Sequence, residues 1–195
     1  MALAEGCPVI DLSGAQRADF TYFDNAQTTQ ALATIGYGPT KMLADAHYLS
    51  PDRSLGVTIL LVTQKRCRDH FGVLRGVDGV EALAQAYLLH RVFAGEQIEA
   101  GSRPLFIEIN GARFASPAVQ PNSPDQPPFA LNLVTMATEA KGKSFSWLAW
   151  ALRGNELVTQ ATLSGRIISE AFYKRMIQGT REAQDNTTPL FPYQG

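Results

Sequence analysis

The segment "GVDGVEALAQAYLLHRVFA", residues 76–94, is the feature that most limits how this chain can fold. Its apolar residues recur at helical spacing, and alanine and leucine occupy much of the remaining circumference. A helix that is apolar on most sides has to be covered on most sides. We therefore predict a buried helix that the rest of the chain must enclose. Its main apolar stripe consists of Val77, Val80, Ala84, Tyr87, Leu88 and Val92.

Strands that are predicted before and after this helix in the sequence can enclose it. In the strand at 143–152, Phe145 and Trp147 lie on one face. Leu148 and Trp150 lie on the other face, so both faces should be covered. One long helix followed by antiparallel strands predicts an α+β fold with the sheet wrapped around the helix. The predicted strands are 42–50, 54–64, 103–111, 112–120, 129–140, 143–152 and 157–168, and further helices are predicted at 26–36 and 169–184.

Length and composition narrow the class of protein. The 195 residues and an apolar content of 45% predict one domain, 1–195, with a substantial core. A net charge of −1 argues against a broad nucleic-acid-binding surface, and no apolar run reaches transmembrane length. Cys7 and Cys67 are too few for a disulfide framework, and the N-terminus lacks the features of a secretory signal. We expect a cytoplasmic protein that binds no metal.

Two short motifs lie at the start of the long helix. The pair His70-Phe71 precedes Gly76-Val77, and the helix continues as "EALAQ" from Glu81. This arrangement resembles the β-hydroxyacyl-acyl-carrier-protein dehydratases of the FabZ and FabA type. The resemblance spans residues 38–168 and implies a hot-dog fold, in which an antiparallel sheet wraps a long central helix. A glutamate at position 81 is typical of the FabZ branch.

The resemblance implies a reaction in which a (3R)-hydroxyacyl thioester loses water to give a trans-2-enoyl thioester. His70 would remove the proton from carbon 2, because a neutral imidazole is a good base near pH 7. Glu81 would protonate the leaving hydroxyl or hold the catalytic water. Backbone N–H groups around Gly76, Val77 and Gly79 would stabilise the enolate oxygen. A surface or core histidine, a solvent-facing glutamate and ordinary turn glycines are the alternative interpretations.

Further side chains complete the predicted site. Phe71 would pack near the mouth of an acyl tunnel, and Phe114, Phe129 and Trp147 are candidates to line it. Gln85, one helical turn beyond Glu81, would orient that carboxyl or satisfy a buried polar group.

The same resemblance implies the partners. Phosphopantetheine on an acyl carrier protein would deliver the substrate, so no other cofactor is implied. The family works as a dimer, either of identical chains or with another hot-dog subunit. In such a dimer His70 of one subunit would meet Glu81 of the other.

Other functions stay open at this point. A hot-dog acyl thioesterase would activate water to attack the thioester carbonyl, and a non-catalytic hot-dog subunit would support an active homologue. Arg75 stands where the family has a proline, and Asp78 replaces an apolar residue. A nucleophilic pair of Cys67 and His70 is a weaker hypothesis, because residues three apart in a strand face opposite sides.

Overall fold

The computed structural model of the chain describes Cys7 and residues 19–34, 44–68, 72–96, 102–116, 118–141 and 143–185. The helices are α1 (Asn25–Thr34), α2 (Gln64–Cys67), α3 (Gly76–Phe93) and α4 (Glu170–Asp185). The strands are β1 (Thr21–Phe23), β2 (Ala46–Leu49), β3 (Leu55–Val62), β4 (Leu74–Arg75), β5 (Ser102–Phe114), β6 (Ala118–Val119), β7 (Phe129–Lys141), β8 (Ser144–Arg153) and β9 (Glu156–Ser169). Among these described segments, no helix combines the length and apolarity needed to cross a membrane.

Seven strands form one antiparallel sheet in the order β1-β2-β3-β7-β8-β9-β5. β4 and β6 form a separate two-stranded pairing. The long helix α3 packs on one face of the large sheet and contacts β7, β9, β3 and β8. The predicted α+β fold, with an antiparallel sheet on a long helix, is therefore confirmed.

The strand β8 is apolar on both faces because each face belongs to a different core. Phe145 and Trp147 lie in the larger cluster, which contains most of α3. Trp150 and Leu152 lie in a second cluster on the opposite face of the sheet. In the larger cluster, Trp147 stacks on Tyr87 of α3 with a centroid distance of 4.3 Å and an interplanar angle of 7°. The two-sided covering predicted for this strand is confirmed.

The edge strand β5 differs from its prediction. Residues 103–111 and 112–120 were expected to form two strands, but Ser102–Phe114 is one strand paired with β9. The ladder shifts register between Phe106 and Glu108 and again between Ile109 and Gly111. Bulges of this kind let a strand bend without ending. A glycine inside a strand therefore marks an irregularity here rather than a break.

Two histidines are enclosed where the end of α3 meets β2, β3 and β7. His47 is fully buried, and its Nδ1 lies 2.8 Å from Thr58 Oγ1. His90 is also buried, with Nδ1 3.1 Å from Thr135 Oγ1 and Nε2 2.9 Å from the carbonyl oxygen of Arg53. Burial, and next the nearby His90, lowers the pKa of His47 to about 3, and burial also lowers the pKa of His90. Both imidazoles are therefore neutral parts of the core.

The close approach of α3 to β3 depends on Gly56. A Cβ atom at this position would lie 2.8 Å from His90 Cγ and 2.9 Å from Thr135 Oγ1, both of which are buried. We expect Gly56→Ala to lower the free energy of unfolding by about 1–3 kcal/mol, because neither neighbour can move freely. Urea denaturation measures this change.

Gly111→Ala is the matched control for Gly56→Ala. Gly111 also lies in a strand, but a Cβ there would have no atom within 4 Å. Its replacement should change the free energy of unfolding by less than about 0.5 kcal/mol. Equal effects of the two substitutions would contradict the steric explanation.

Candidate functional site

The start of α3 is held by Asp78. Its carboxylate accepts a hydrogen bond from the backbone N–H of Arg75 at 2.8 Å. It also accepts from the Arg75 side chain, at 3.0 Å from Nε and 2.8 Å from Nη2. A carboxylate in the first turn satisfies an unpaired N–H group and interacts favourably with the helix dipole. Arg75 and Asp78, two of the departures from the dehydratase pattern, thus pair with each other and fix the helix start.

The predicted oxyanion residues pack against β5 and β9. A Cβ on Gly76 would lie 2.5 Å from Cδ1 of the Phe114 ring, so only glycine allows this ring to approach the helix. The pairing of β4 with β6, four residues after Phe114, brings this end of β5 to the helix start. A Cβ on Gly79 would lie 3.2 Å from Thr159 Oγ1. Val77 points outward and is 59% exposed.

Glu81 and Gln85 are in contact on the same face of α3 as Val77. These residues are spaced four apart, so they succeed one another turn by turn. Gln85 is only 3% exposed, and its Nε2 donates to Glu81 Oε1 at 3.4 Å. Gln85 Oε1 is buried and has no hydrogen-bond partner among the described residues. Glu81 itself is exposed in the single chain.

The exposed part of α3 faces a strand edge that is also exposed. β5 is the last strand of the sheet, and its outer backbone groups have no neighbouring strand within the described chain. Ile109 and Phe114 are 49% and 46% exposed. In the ladder with β9, Ile109 lies opposite Leu163 and Phe114 lies opposite Thr159. Both β9 residues are buried, and Leu163 belongs to the same apolar cluster as α3. Residues opposite each other in a ladder face the same side, so both exposed side chains lie on the helix side of the sheet.

We use the name open face for Val77, Glu81, Ile109, Phe114 and the outer edge of β5. Apolar side chains of this size are rarely exposed together unless another molecule covers them. The open face combines an apolar surface, a carboxylate and the start of a long helix. It can accommodate an apolar substrate chain beside a group capable of proton transfer.

His70 and Phe71 lie outside the described residues, so their positions relative to Glu81 are not part of the structure. The chain on either side of them is described. The N–H of Gly72 donates to the carbonyl oxygen of Cys67 at 3.0 Å. β4 begins two residues after Gly72, and α3 follows it directly.

Cys67 is not suited to nucleophilic chemistry. It is fully buried, and burial raises the pKa of its thiol, with the charge of Asp78 as the second cause. The thiolate is the nucleophilic form of cysteine, so a raised pKa disfavours the reaction. Within the described part of the chain, no three His, Cys, Asp or Glu side chains are grouped so that they could hold a metal ion.

The candidate tunnel residues are in three different places. Phe114 belongs to the open face, whereas Trp147 is enclosed in the core against Tyr87. Phe129, at the start of β7, lies under the guanidinium of Arg153 at 4.0 Å. Thr159, which contacts Gly79, was not predicted from the sequence. No local pattern could identify it, because its place depends on the β5–β9 register.

Comparison with known proteins identifies the fold. No protein-family model matches the chain, and no curated protein matches it either. The dehydratase heterocomplex ApeI:P from Xenorhabdus doucetiae is similar in structure, with a TM-score of 0.51 and 15% identity over 63% of this chain and 81% of that chain. The fluoroacetyl-CoA thioesterase FlK has a TM-score of 0.51 and 14% identity over 64% of this chain and 93% of that chain. At these identities the likeness concerns the fold alone, and the fold of this chain is hot-dog-like.

Proposed function

We propose that this protein is a hot-dog dehydratase that converts a carrier-bound (3R)-hydroxyacyl thioester into a trans-2-enoyl thioester. In this reaction His70 takes the proton from carbon 2, and the electron pair forms the double bond to carbon 3. The hydroxyl on carbon 3 leaves as water after it receives a proton from Glu81. Acyl transfer and redox chemistry are not involved, so the residues of the chain suffice for the proton transfers.

The contact between Glu81 and Gln85 is the observation that carries this proposal. Gln85 is buried, whereas Glu81 is exposed on the open face. A carboxylate that contacts a buried amide beside apolar side chains is placed to exchange a proton with a bound acyl chain. We propose that backbone N–H groups around Gly76, Val77 and Gly79, at the start of the same helix, stabilise the enolate oxygen.

A second hot-dog subunit would complete the site by covering the open face. Along Ser102–Phe114, the outer backbone groups of β5 pair with no other described strand, and Ile109 and Phe114 offer apolar area. Burial under a partner would enclose Glu81 beside an acyl chain. A dehydratase heterocomplex among the similar structures supports a partner of the same fold. We propose that His70 of one subunit acts with Glu81 of the other, and that the acyl carrier protein delivers the substrate.

Thioester hydrolysis is the second candidate function. The thioesterase FlK is as similar in structure as the dehydratase heterocomplex, with the same TM-score of 0.51. Glu81 could then activate a water molecule that attacks the thioester carbonyl, which would release a free acid and a thiol. The "HF" and "EALAQ" motifs favour dehydration over hydrolysis.

Two substrates offered in parallel distinguish these functions. We expect the purified protein to interconvert a 3-hydroxyacyl thioester and the matching enoyl thioester, which changes the absorbance of the conjugated thioester. Thiol release in place of interconversion would identify a thioesterase and refute the dehydratase. No reaction with either substrate, alone or with a hot-dog partner, would indicate a non-catalytic subunit.

A further inference from the structure

The edge strand β5 is open along one half and covered along the other. Every residue from Glu108 to Phe114 is exposed, and no described strand pairs with their outer side. In the first half, Pro104 is buried, and Arg103 forms an ion pair with Glu170 in the first turn of α4. The stretch that is open to a further strand is therefore 108–114, which we call the free edge.

The two charged side chains of the free edge, Glu108 and Arg113, face the same side of the sheet. In the ladder with β9, Glu108 lies opposite Ser164 and Arg113 lies opposite Gln160. Ser164 and Gln160 are four residues apart in a regularly paired part of β9, so they share a face. Leu163 belongs to the apolar cluster of α3, so this shared face is the one away from the helix. The odd spacing of Glu108 and Arg113 is possible because β5 has one extra residue at its second register shift.

Both charges are available for a contact between molecules. The ion pairs within the described part of the chain include neither Glu108 nor Arg113. Glu108 Oε2 lies 3.5 Å from Ser164 Oγ, which is at the limit of a hydrogen bond. On the helix side of the same stretch, Ile109 and Phe114 are exposed. The free edge therefore has opposite charges on one side and large apolar side chains on the other, and each pair has the same spacing along the strand.

A second copy of the free edge is complementary to the first. In a two-fold symmetric dimer the same surface serves both subunits, so every contact occurs twice. If two β5 strands run antiparallel with Glu108 opposite Arg113 of the other copy, symmetry places Arg113 opposite Glu108 of that copy. In this register Ile109 lies diagonal to Phe114 of the other copy, at about 7–8 Å, which large side chains can span. One register thus forms two ion pairs on one side of the sheet and two apolar contacts on the other.

We propose that the subunit covering the open face is a second copy of this chain, selected by Glu108 and Arg113. An exposed ion pair adds little to affinity, but like charges that face each other repel, so these charges select the partner and its register. The proposal rests on the proposed function only for the statement that a subunit covers the open face. It is tested by association rather than by turnover, so either can fail without the other.

Charge reversal at either position tests this pairing. Sedimentation equilibrium of the full wild-type chain should show a monomer–dimer equilibrium. Glu108→Arg places an arginine opposite Arg113 at both contacts, and Arg113→Glu places a carboxylate opposite Glu108 at both. Each single variant should therefore raise the dissociation constant of the dimer at least about tenfold. An equimolar mixture of the two variants should regain the dimer, because both contacts between unlike chains then join opposite charges.

Matched controls separate this pairing from a general effect of net charge. Glu156→Arg and Lys65→Glu make the same kinds of change at exposed positions outside the free edge and should leave the dissociation constant unchanged. A wild-type chain that stays monomeric by itself would overturn the proposal and leave a different hot-dog subunit as the partner. Single variants that dimerise normally, a mixture that does not regain the dimer, or an equal loss in the controls would also overturn it. If a single variant fails to fold, Glu108→Arg/Arg113→Glu decides: it exchanges the charges of both ion pairs and should dimerise like the wild type, and a monomeric double variant would refute the pairing.

Discussion

Replacing Glu81 by glutamine should lower the rate of dehydration by about 10²- to 10⁴-fold, the usual contribution of a positioned acid or base. Glutamine has nearly the same shape, but it cannot donate a carboxyl proton to the leaving hydroxyl. The free energy of unfolding should hardly change, because Glu81 is exposed and its hydrogen bond to Gln85, at 3.4 Å, is long. Turnover of a 3-hydroxyacyl thioester and urea denaturation measure the two effects separately.

A control and a mixing experiment make the Glu81 result specific. Glu156→Gln removes an exposed carboxylate from the start of β9 and should retain full activity. If the site is shared between subunits, mixing His70→Ala with Glu81→Ala chains should restore activity, because each hybrid dimer contains one intact site. Near-normal turnover by Glu81→Gln would remove this residue from the mechanism. Failure of every mixture to recover would refute the shared site.

Acidification should destabilise the protein strongly because of its two enclosed histidines. The pKa of His47 is lowered to about 3 by burial and next by His90, and burial also lowers the pKa of His90. In the unfolded chain both imidazoles take up protons near their ordinary pKa of 6.5. The unfolded state therefore binds more protons than the folded state below about pH 6.5. Stability is fully present above that pH and is lost as the pH falls towards 3.

The slope of stability against pH tests this explanation. Each additional proton bound by the unfolded state contributes about 1.4 kcal/mol per pH unit. Between about pH 5 and 6, His47→Gln should reduce the slope by nearly one such increment, measured by urea denaturation at several pH values. Lys65→Gln, at an exposed position of α2, should leave the slope unchanged. Superimposable slopes for the wild type and His47→Gln would show that His47 is not kept neutral.

The elements that the sequence predicts well are those in which periodicity and burial agree. The helix at 76–94 and the two-faced strand at 143–152 match α3 and β8 closely, because nearly every residue follows one pattern. The strand β5 was divided in error at Gly111. Glycine occurs in bulges as well as in turns, so the sequence alone does not tell one from the other. The pairing of β5 with β9 shows that Gly111 lies at a bulge.

The candidate site was predictable only in part, because some of its contacts depend on pairing between segments that are distant in the sequence. The motif identifies Gly76, Glu81 and Gln85 on one short stretch of helix, and the structure gives their mutual placement. The approach of Phe114 to Gly76 depends on the pairing of β4 with β6, which are more than forty residues apart. The exposure of Glu81 depends on whether a second molecule is present, and a single sequence contains no direct signal for that.

The two tryptophans of β8 offer an optical view of how the sheet assembles. Trp147 and Trp150 are three residues apart in one strand, yet they lie in separate apolar layers. In a variant whose single tryptophan is Trp147, the fluorophore stacks on Tyr87 between the helix and the sheet. In a variant whose single tryptophan is Trp150, the fluorophore lies in the apolar cluster on the opposite face of the sheet. The emission of each single-tryptophan chain during refolding would therefore report on one layer at a time.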